Sequence, residues 1–433
     1  MNAAPEPPPA ARPTLVRAIG RWDLSAAVVN GVIGSSVFGM PAAQAALTGQ
    51  WSPLGYLLAG LGVLMTVLCF AEVASRFQEA GGPYLYAREA FGPVVGFQAG
   101  WLTFWIRVTA LAANLNVLVE YLAQLVPAVG TGAGRVATMT LVMCAITTIN
   151  IVGVRQATWT VNLFTVAKLV PLFVLIGLGL FAVSGDVIRT QAVARPDWTQ
   201  AILLLMFAYG GFEAPLIPAS EARDPRRDAG FALLCALAVI ASVYMLVQLV
   251  VIGVIPHVAG VTAPVAAALG VLLGPAGIAL GSVAAVVSVY GYSTGSVLQA
   301  PRLLFSMSAR GDLPAPLARV SPRFRTPDVA ILTFAVLSLA LALYGTFTWN
   351  ATLSAIVRLV TYGLTCAALL VFRRRPGMPE AAFRVPAGPA VAAVGIALHA
   401  WLLSTRTFAQ AGILVGLMAL GGALWALARR RAR

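Results

Sequence analysis

The chain carries little charge for its length. Charged residues make up 10% of its 433 residues, while hydrophobic residues make up 59%. An average soluble domain has about 25% charged residues, so this composition cannot coat a water-exposed surface of such a size. An ordinary soluble enzyme, a disordered chain and a disulfide-stapled secreted fold are therefore excluded.

Histidine and cysteine are scarce as well. The two histidines, His257 and His399, are far apart, and the four cysteines lie in apolar segments without a Cys-x-x-Cys pair. No disulfide framework or metal centre is indicated, so neither a cofactor nor a metal is expected. A membrane enzyme would need a nucleophile–base set or a metal cluster, and a channel would need a filter-like repeat or a ring of like charges. The sequence shows none of these, so both classes are disfavoured.

Continuous apolar runs of about twenty residues dominate the chain, which is the length that crosses a bilayer as a helix. The strands of a barrel would instead alternate polar and apolar residues over about 10 positions. We therefore predict an all-α integral membrane protein with about 12 transmembrane helices. The runs lie near residues 24–46, 54–75, 94–124, 136–153, 159–183, 199–220, 230–254, 276–308, 328–345, 350–372, 388–405 and 410–428.

Basic residues are distributed unevenly between the two sides of these predicted helices. The net charge is +14, and 22 basic residues fall on the side of the two termini against 4 on the other side. Such an excess marks the cytoplasmic side, so we expect both termini in the cytoplasm and the protein in the cytoplasmic (inner) membrane. The arginine clusters at 373–375 and 429–433 indicate contact with anionic membrane lipid, and no nucleic-acid partner is expected.

Two predicted helices are interrupted by glycine and proline at matching depth. Gly34 in the first and Gly210 in the sixth each lie about 16 Å into a hydrocarbon core about 30 Å thick, and Pro41 and Pro215 follow them. Small residues could merely allow close helix packing. The matched pair instead favours two five-helix repeats related by inversion, with broken helices 1 and 6 and a binding site where the breaks meet. The predicted organisation is a disordered cytoplasmic tail (1–20), a first repeat (21–183), a second repeat (184–375), and helices 11 and 12 with a short basic cytoplasmic tail (376–433).

A single lysine stands among 28 arginines. Lys168 is expected near the middle of the fifth helix, about 14 Å deep. A lysine can lose its proton when it is removed from water, whereas an arginine keeps its charge. Lys168 is therefore a candidate proton carrier, or a fixed cation that replaces a coupling metal ion. The alternative is a structural ammonium that ties carbonyl groups of the first helix to the fifth.

Several motifs in a common order resemble the amino acid–polyamine–organocation (APC) transporter superfamily over about residues 20–428. The segment Ile33-Gly34-Ser35-Ser36-Val37-Phe38 resembles the family's Ile-Gly-Ser-Gly-Ile-Phe, with Ser36 in place of the last glycine. The segments 71–86, 207–227 and 302–314 are similar to further family motifs, with Gln78 in place of a common proline and Asp224 in place of a frequent asparagine. The resemblance is to a sodium-independent amino acid permease.

This resemblance implies how an amino acid would be held. Its carboxylate would meet the amides of Ser35 and Ser36 beside Gly34, where a half-helix N-terminus is electropositive. Phe207 occupies the family's aromatic gate position, and Ser296 falls near the expected pocket wall. The ammonium group would meet backbone carbonyls freed by the two breaks, at Val32 or Ile33 and at Phe207, Ala208 and Gly210.

The resemblance also implies a function. The leading prediction is a secondary active transporter of amino acids or related amines that works by alternating access and is coupled to protons through Lys168, which matches a position where sodium-independent relatives carry a lysine in place of a coupling Na⁺. The alternative is an exchanger in which Lys168 is a fixed cation.

Three further embedded charges are harder to assign from the sequence. Glu213 is a second candidate for proton coupling, or else an anchor for the unwound segment. We expect Arg107 and Arg358 to pair internally. No disulfide-linked accessory subunit is expected, because no cysteine lies between about Pro127 and Arg135.

Overall fold

The computed structural model describes residues 20–77, 82–152, 158–213 and 225–432, and within these ranges the chain is helical with no β-strand. Most of the predicted N-terminal tail, Gln78, Pro215 and Asp224 lie outside the described residues. The helices are α1 (Arg21–Val32), α2 (Ser36–Thr48), α3 (Ser52–Ala74), α4 (Gly82–Phe91), α5 (Pro93–Leu122), α6 (Gly132–Val152), α7 (Thr158–Gly179), α8 (Gly185–Arg189), α9 (Trp198–Ala208), α10 (Pro225–Val254), α11 (Pro264–Leu273), α12 (Pro275–Ala309), α13 (Asp328–Tyr344), α14 (Phe347–Arg374), α15 (Gly388–Ser404) and α16 (Phe408–Ala432).

The helices follow the predicted apolar runs. Seven helical stretches in the described part of the chain are long and apolar enough to cross a membrane, and shorter apolar helices such as α9, α13 and α15 coincide with other runs. Large apolar side chains project outwards, with Phe181 94% and Phe408 99% exposed. Lipid accommodates such a surface, whereas water disfavours it. The protein is an all-α, multi-pass membrane protein, as the composition predicts.

Three of these helices lie outside the predicted runs. α4 occupies the segment after the second run, the five-residue α8 follows the fifth run, and α11 precedes α12. α11 is only ten residues long and begins with Pro264, which suits the first turn of a helix. It packs closely on α12, because a Cβ added at Gly281 would lie 2.7 Å from the Cα of Ala266. Such short helices carry too little apolar sequence to appear as spans.

The centre of the bundle is built on α5, which packs against both α12 and α14. Nearly every side chain of α5 from Phe97 to Val119 is buried. A helix that is apolar on all sides is one that other helices surround. α5 is therefore the central helix of the bundle, and the interrupted segments and α14 lie around it.

A cluster of charged residues outside this centre is built around Glu72. Its carboxylate accepts hydrogen bonds from Arg373 at 2.6 and 2.8 Å, from Arg76 at 3.2 Å and from the amide of Val385 at 2.8 Å. This cluster joins α3, α14 and the segment before α15. Arg76 and Arg373, which the count of basic residues assigns to the same side of the membrane, therefore meet in space at Glu72.

Candidate functional site

The first predicted helix is interrupted in its middle. α1 ends at Val32 and α2 begins at Ser36, and the residues between them leave the helical pattern, since the amide of Gly34 donates to the carbonyl of Val32 at 2.8 Å. Ile33, the first residue after α1, has a ψ of 88°, which is far from the helical value. The interruption exposes backbone groups that an unbroken helix would have paired internally.

The sixth predicted helix also changes conformation near its middle. α9 ends at Ala208, and residues 209–213, the last of this described range, form turns. Gly211 has φ +113°, which favours glycine. A Cβ added there would lie 2.6 Å from the carbonyl oxygen of Gly31. The two interrupted segments thus approach each other backbone to backbone, and only glycine allows that distance.

The hydroxyl of Tyr244 on α10 connects the two segments. It lies 2.8 Å from Ser36 Oγ, 3.1 Å from the carbonyl oxygen of Val32 and 3.3 Å from that of Ala208. Ser36 Oγ itself is 3.5 Å from the Ala208 carbonyl. The hydroxyl of Ser36, which stands where the family has a glycine, therefore contacts groups around both interruptions.

A small cavity lies between the two interrupted segments. α5, α12 and α14 contribute one side chain each to its wall. Its lining residues are Val32, Gly34, Ser35, Ser36, Asn114, Phe207, Gly210, Tyr292 and Arg358.

Three buried polar atoms in this wall have no hydrogen-bond partner among the described residues: Ser35 Oγ, Asn114 Oδ1 and Arg358 Nε. Each of these residues is only 2% exposed. Buried polar groups in folded proteins are nearly always hydrogen-bonded. Three unsatisfied atoms around one cavity therefore indicate a place where a polar ligand binds.

Backbone donors face the same region. The amide of Ser35 makes no backbone hydrogen bond within the described chain, and the amide of Ser36 belongs to the first turn of α2, which has no preceding turn to pair with. The positive end of the α2 dipole also points here. These donors can hold an anionic group such as a carboxylate.

Lys168 lies beside the first interruption, outside the cavity wall. Its ammonium group donates to the carbonyl oxygens of Asn30 at 2.8 Å and Ile33 at 2.7 Å, and the residue is 3% exposed. These two carbonyls stand at the C-terminal end of α1, where a cation is favourable. Lys168 therefore links α7 to the C-terminal end of α1.

Glu213 is held by several donors. Its carboxylate lies 3.3 Å from Arg107 Nη2 and accepts hydrogen bonds from the hydroxyl of Tyr362 at 2.8 Å and from the amide of Gly211 at 3.0 Å. All of these groups are buried. The contacts fit an anchor that fixes the sixth-helix turn to α5 and α14. The expected internal pairing is present for Arg107, whereas Arg358 forms no ion pair in the described part of the chain.

The predicted site residues divide into two groups. Val32, Gly34, Ser35, Ser36, Phe207 and Gly210 line the cavity together. The side chains of Ile33, Ala208 and Ser296 are buried but lie outside its wall.

The sequence analysis missed several residues of the site. Tyr292 takes the place on α12 that we expected for Ser296, and Arg358, which was expected to pair internally, lines the cavity. Tyr244 was missed because nothing in the sequence links it to Ser36, 208 positions away. The one signal available for Arg358 was its rarity as a charge inside an apolar run.

Comparison with known proteins shows where this arrangement belongs. The family model described as "Amino acid permease" matches residues 19–427. The chain is 27% identical to the serine/threonine exchanger SteT of Bacillus subtilis, over 91% of this chain and 93% of that protein. It is also 27% identical to the methylthioribose transporter of Bacillus subtilis, over 90% of this chain and 88% of that protein. The branched-chain amino acid permease BcaP of the same organism shares 27% identity, again over 90% and 88%.

Proposed function

This chain belongs to the amino acid permease family, and from that premise we propose that it is a secondary active transporter that moves an amino acid or a related amine by alternating access. The observation that carries the proposal is the cavity between the two interrupted segments, with three unsatisfied polar atoms and free amides in its wall. Discontinuous helices that meet near the bilayer centre are where transporters of this kind bind their substrates. Relatives that carry the names of amino acid exchangers and permeases support the same class of cargo.

We place the substrate by its main-chain groups. The carboxylate binds the amides of Ser35 and Ser36 at the start of α2. The ammonium group binds the remaining lone pairs of carbonyls at the two interruptions, from the set Val32, Ile33, Phe207, Ala208 and Gly210. Phe207 lines the cavity and packs edge-on against Phe347 at 6.1 Å between ring centroids, which suits its proposed role as a gate.

We further propose that transport is coupled to protons through Lys168. Its two hydrogen bonds join α7 to the end of α1, so loss of its proton would weaken the hold on the first interruption. The exchanger alternative keeps Lys168 permanently charged, and the similarity to SteT, which is named as an exchanger, favours it. The contacts of Glu213 favour an anchor over a second proton carrier.

Proteoliposomes separate the two mechanisms. The substrate is first identified by a thermal-shift screen of the twenty amino acids and common amines, since a ligand of the folded state raises the melting temperature. Uptake into empty vesicles that is driven by an inward proton gradient supports symport. Uptake that requires preloaded substrate supports exchange. Failure of every candidate to bind or to be transported would refute the proposed function.

We also propose that the protein lies in the cytoplasmic membrane with both termini inside, and that residues 21–183 and 184–375 form the two inverted repeats. The uneven division of basic residues carries the orientation. A reporter fused to the C-terminus, active only in the cytoplasm, tests it. An active reporter is expected, and an inactive one on a folded protein would reverse the topology.

A further inference from the structure

The cavity region has more positive than negative charge. In the described part of the chain, the buried side chains around the two interruptions include three cations, Lys168, Arg107 and Arg358, and one carboxylate, Glu213. Lys168 faces backbone carbonyls, and Arg107 pairs with Glu213. A buried charge without a counter-charge is costly in a membrane protein and marks a functional site. The excess calls for an anion.

Arg358 is the cation with the fewest direct polar contacts. It forms no ion pair within the described residues, its Nη1 makes one long hydrogen bond of 3.4 Å to the Tyr362 hydroxyl, and its Nε has no partner. The residue is 2% exposed and lines the cavity beside Asn114. Its guanidinium group packs directly on Gly210, where an added Cβ would overlap it. The absence of a side chain at Gly210 is what gives this guanidinium its place in the wall.

Glu213 lies near Arg358, since the Tyr362 hydroxyl contacts both side chains, but within the described residues its direct ion pair is with Arg107. Its carboxylate is already occupied by Arg107, by Tyr362 and by the amide of Gly211. One carboxylate thus stands against two guanidinium groups. A further carboxylate, brought by a ligand, would restore the balance.

The cavity therefore presents two groups that bind anions, and they lie on different elements. The amides of Ser35 and Ser36 belong to the start of α2, whereas the Arg358 guanidinium comes from α14 and lies against Gly210. A zwitterion with a neutral side chain occupies only one of them. A guanidinium group and a carboxylate form two parallel hydrogen bonds.

Resting on the proposed function, we propose that the substrate is an amino acid with a carboxylate side chain, and that Arg358 binds this second carboxylate. The α-carboxylate occupies the amides at the start of α2. The pairing makes Arg358 a specificity-determining residue, and it disfavours cationic amino acids by repulsion. The relatives named for serine and threonine or for branched-chain amino acids carry neutral cargo in their names, so this chain differs from them in the charge of its ligand.

The test compares acids with their amides, which have almost the same shape. Binding of L-aspartate, L-asparagine, L-glutamate and L-glutamine to the purified full chain is measured by calorimetry. An acid is expected to bind at least about tenfold more tightly than its amide, since one charge-assisted pair contributes that much. Arg358→Gln should abolish this preference, and Arg358→Lys should keep a reduced one because lysine lacks the planar fork. Arg189→Gln, at an exposed position, is the matched control and should leave the ratio unchanged.

The outcomes distinguish this proposal from the proposed function. If the wild-type protein binds neutral amino acids as well as acids or better, the acidic substrate is refuted while amino acid transport stands. An unchanged ratio in Arg358→Gln refutes the role of Arg358 alone. If Arg358→Gln does not fold, Arg358→Lys decides, and a full wild-type ratio there counts against a guanidinium–carboxylate pair. If no amino acid binds at all, the proposed function fails and this inference fails with it.

Discussion

The contacts of Lys168 lead to a quantitative prediction for its replacement by methionine. The side chain of methionine has a similar length and no donor, so Lys168→Met removes the hydrogen bonds to the carbonyls of Asn30 and Ile33. The Asn30 carbonyl regains no helical partner, because the amide of Gly34 turns back to Val32, and Ile33 lies in the interruption between α1 and α2. A buried acceptor left unsatisfied costs about 1 to 3 kcal/mol, so the two together cost about 2 to 6 kcal/mol. The melting temperature of the purified protein should fall by several degrees.

The same variant should lose the pH dependence of uptake. Lys168→Arg is the matched comparison, because it restores a permanent cation that cannot release its proton. If Lys168 carries the proton, Lys168→Arg recovers stability but transports without pH dependence. If Lys168 is a fixed cation, Lys168→Arg recovers both the stability and the exchange of substrate. A Lys168→Met protein with wild-type melting temperature and wild-type pH profile would refute both the anchoring and the coupling.

Three further changes test the two interrupted segments and the charge cluster at Glu72. Gly211→Ala forces a Cβ into the first interrupted segment at a positive φ; strain of about 1 to 3 kcal/mol should lower the melting temperature and weaken substrate binding, and unchanged affinity would mean that the close approach is dispensable. Tyr244→Phe removes a hydroxyl shared by both segments, so a loss of about 1 kcal/mol and weaker binding are expected in thermal-shift titrations; equal affinity would contradict the bridge. Glu72→Gln leaves Arg373 without its buried counter-ion and should cost about 3 kcal/mol in thermal unfolding, whereas the exposed Glu89→Gln should have no effect.

The long helices could be predicted from the sequence because hydrocarbon imposes a simple rule. A continuous apolar run of about twenty residues must form a helix that pairs all its backbone groups, and the runs 94–124 and 276–308 correspond to α5 and α12. The short helix α11 escapes this rule, since its ten residues are too few to cross the bilayer. The position of the first interruption followed from the local chemistry of Gly34 and its neighbours.

The side chains that line the cavity were less predictable than the backbone conformation around it. Arg358 enters it from α14, far along the chain from Gly34 and Ser35, and no local pattern states which face of α14 turns towards them. Ser36 shows the same limit. The sequence places a hydroxyl where the family has a glycine, but only the three-dimensional packing shows that it contacts Tyr244. Local sequence determines where backbone groups are freed, while packing between distant helices determines which side chains meet them.

The anchoring contacts explain why the unsatisfied groups gather on one side. Lys168 holds the first interruption from α7, and Glu213 joins the second to α5 and α14. Both anchors satisfy their segments away from the cavity. The donors that remain, the amides at the start of α2 and the Arg358 guanidinium, all face inwards. Because each alone would be costly to bury, the proposed ligand would stabilise an arrangement in which both interrupted segments surround it, and the proposed alternating access requires such a coupling between binding and conformation.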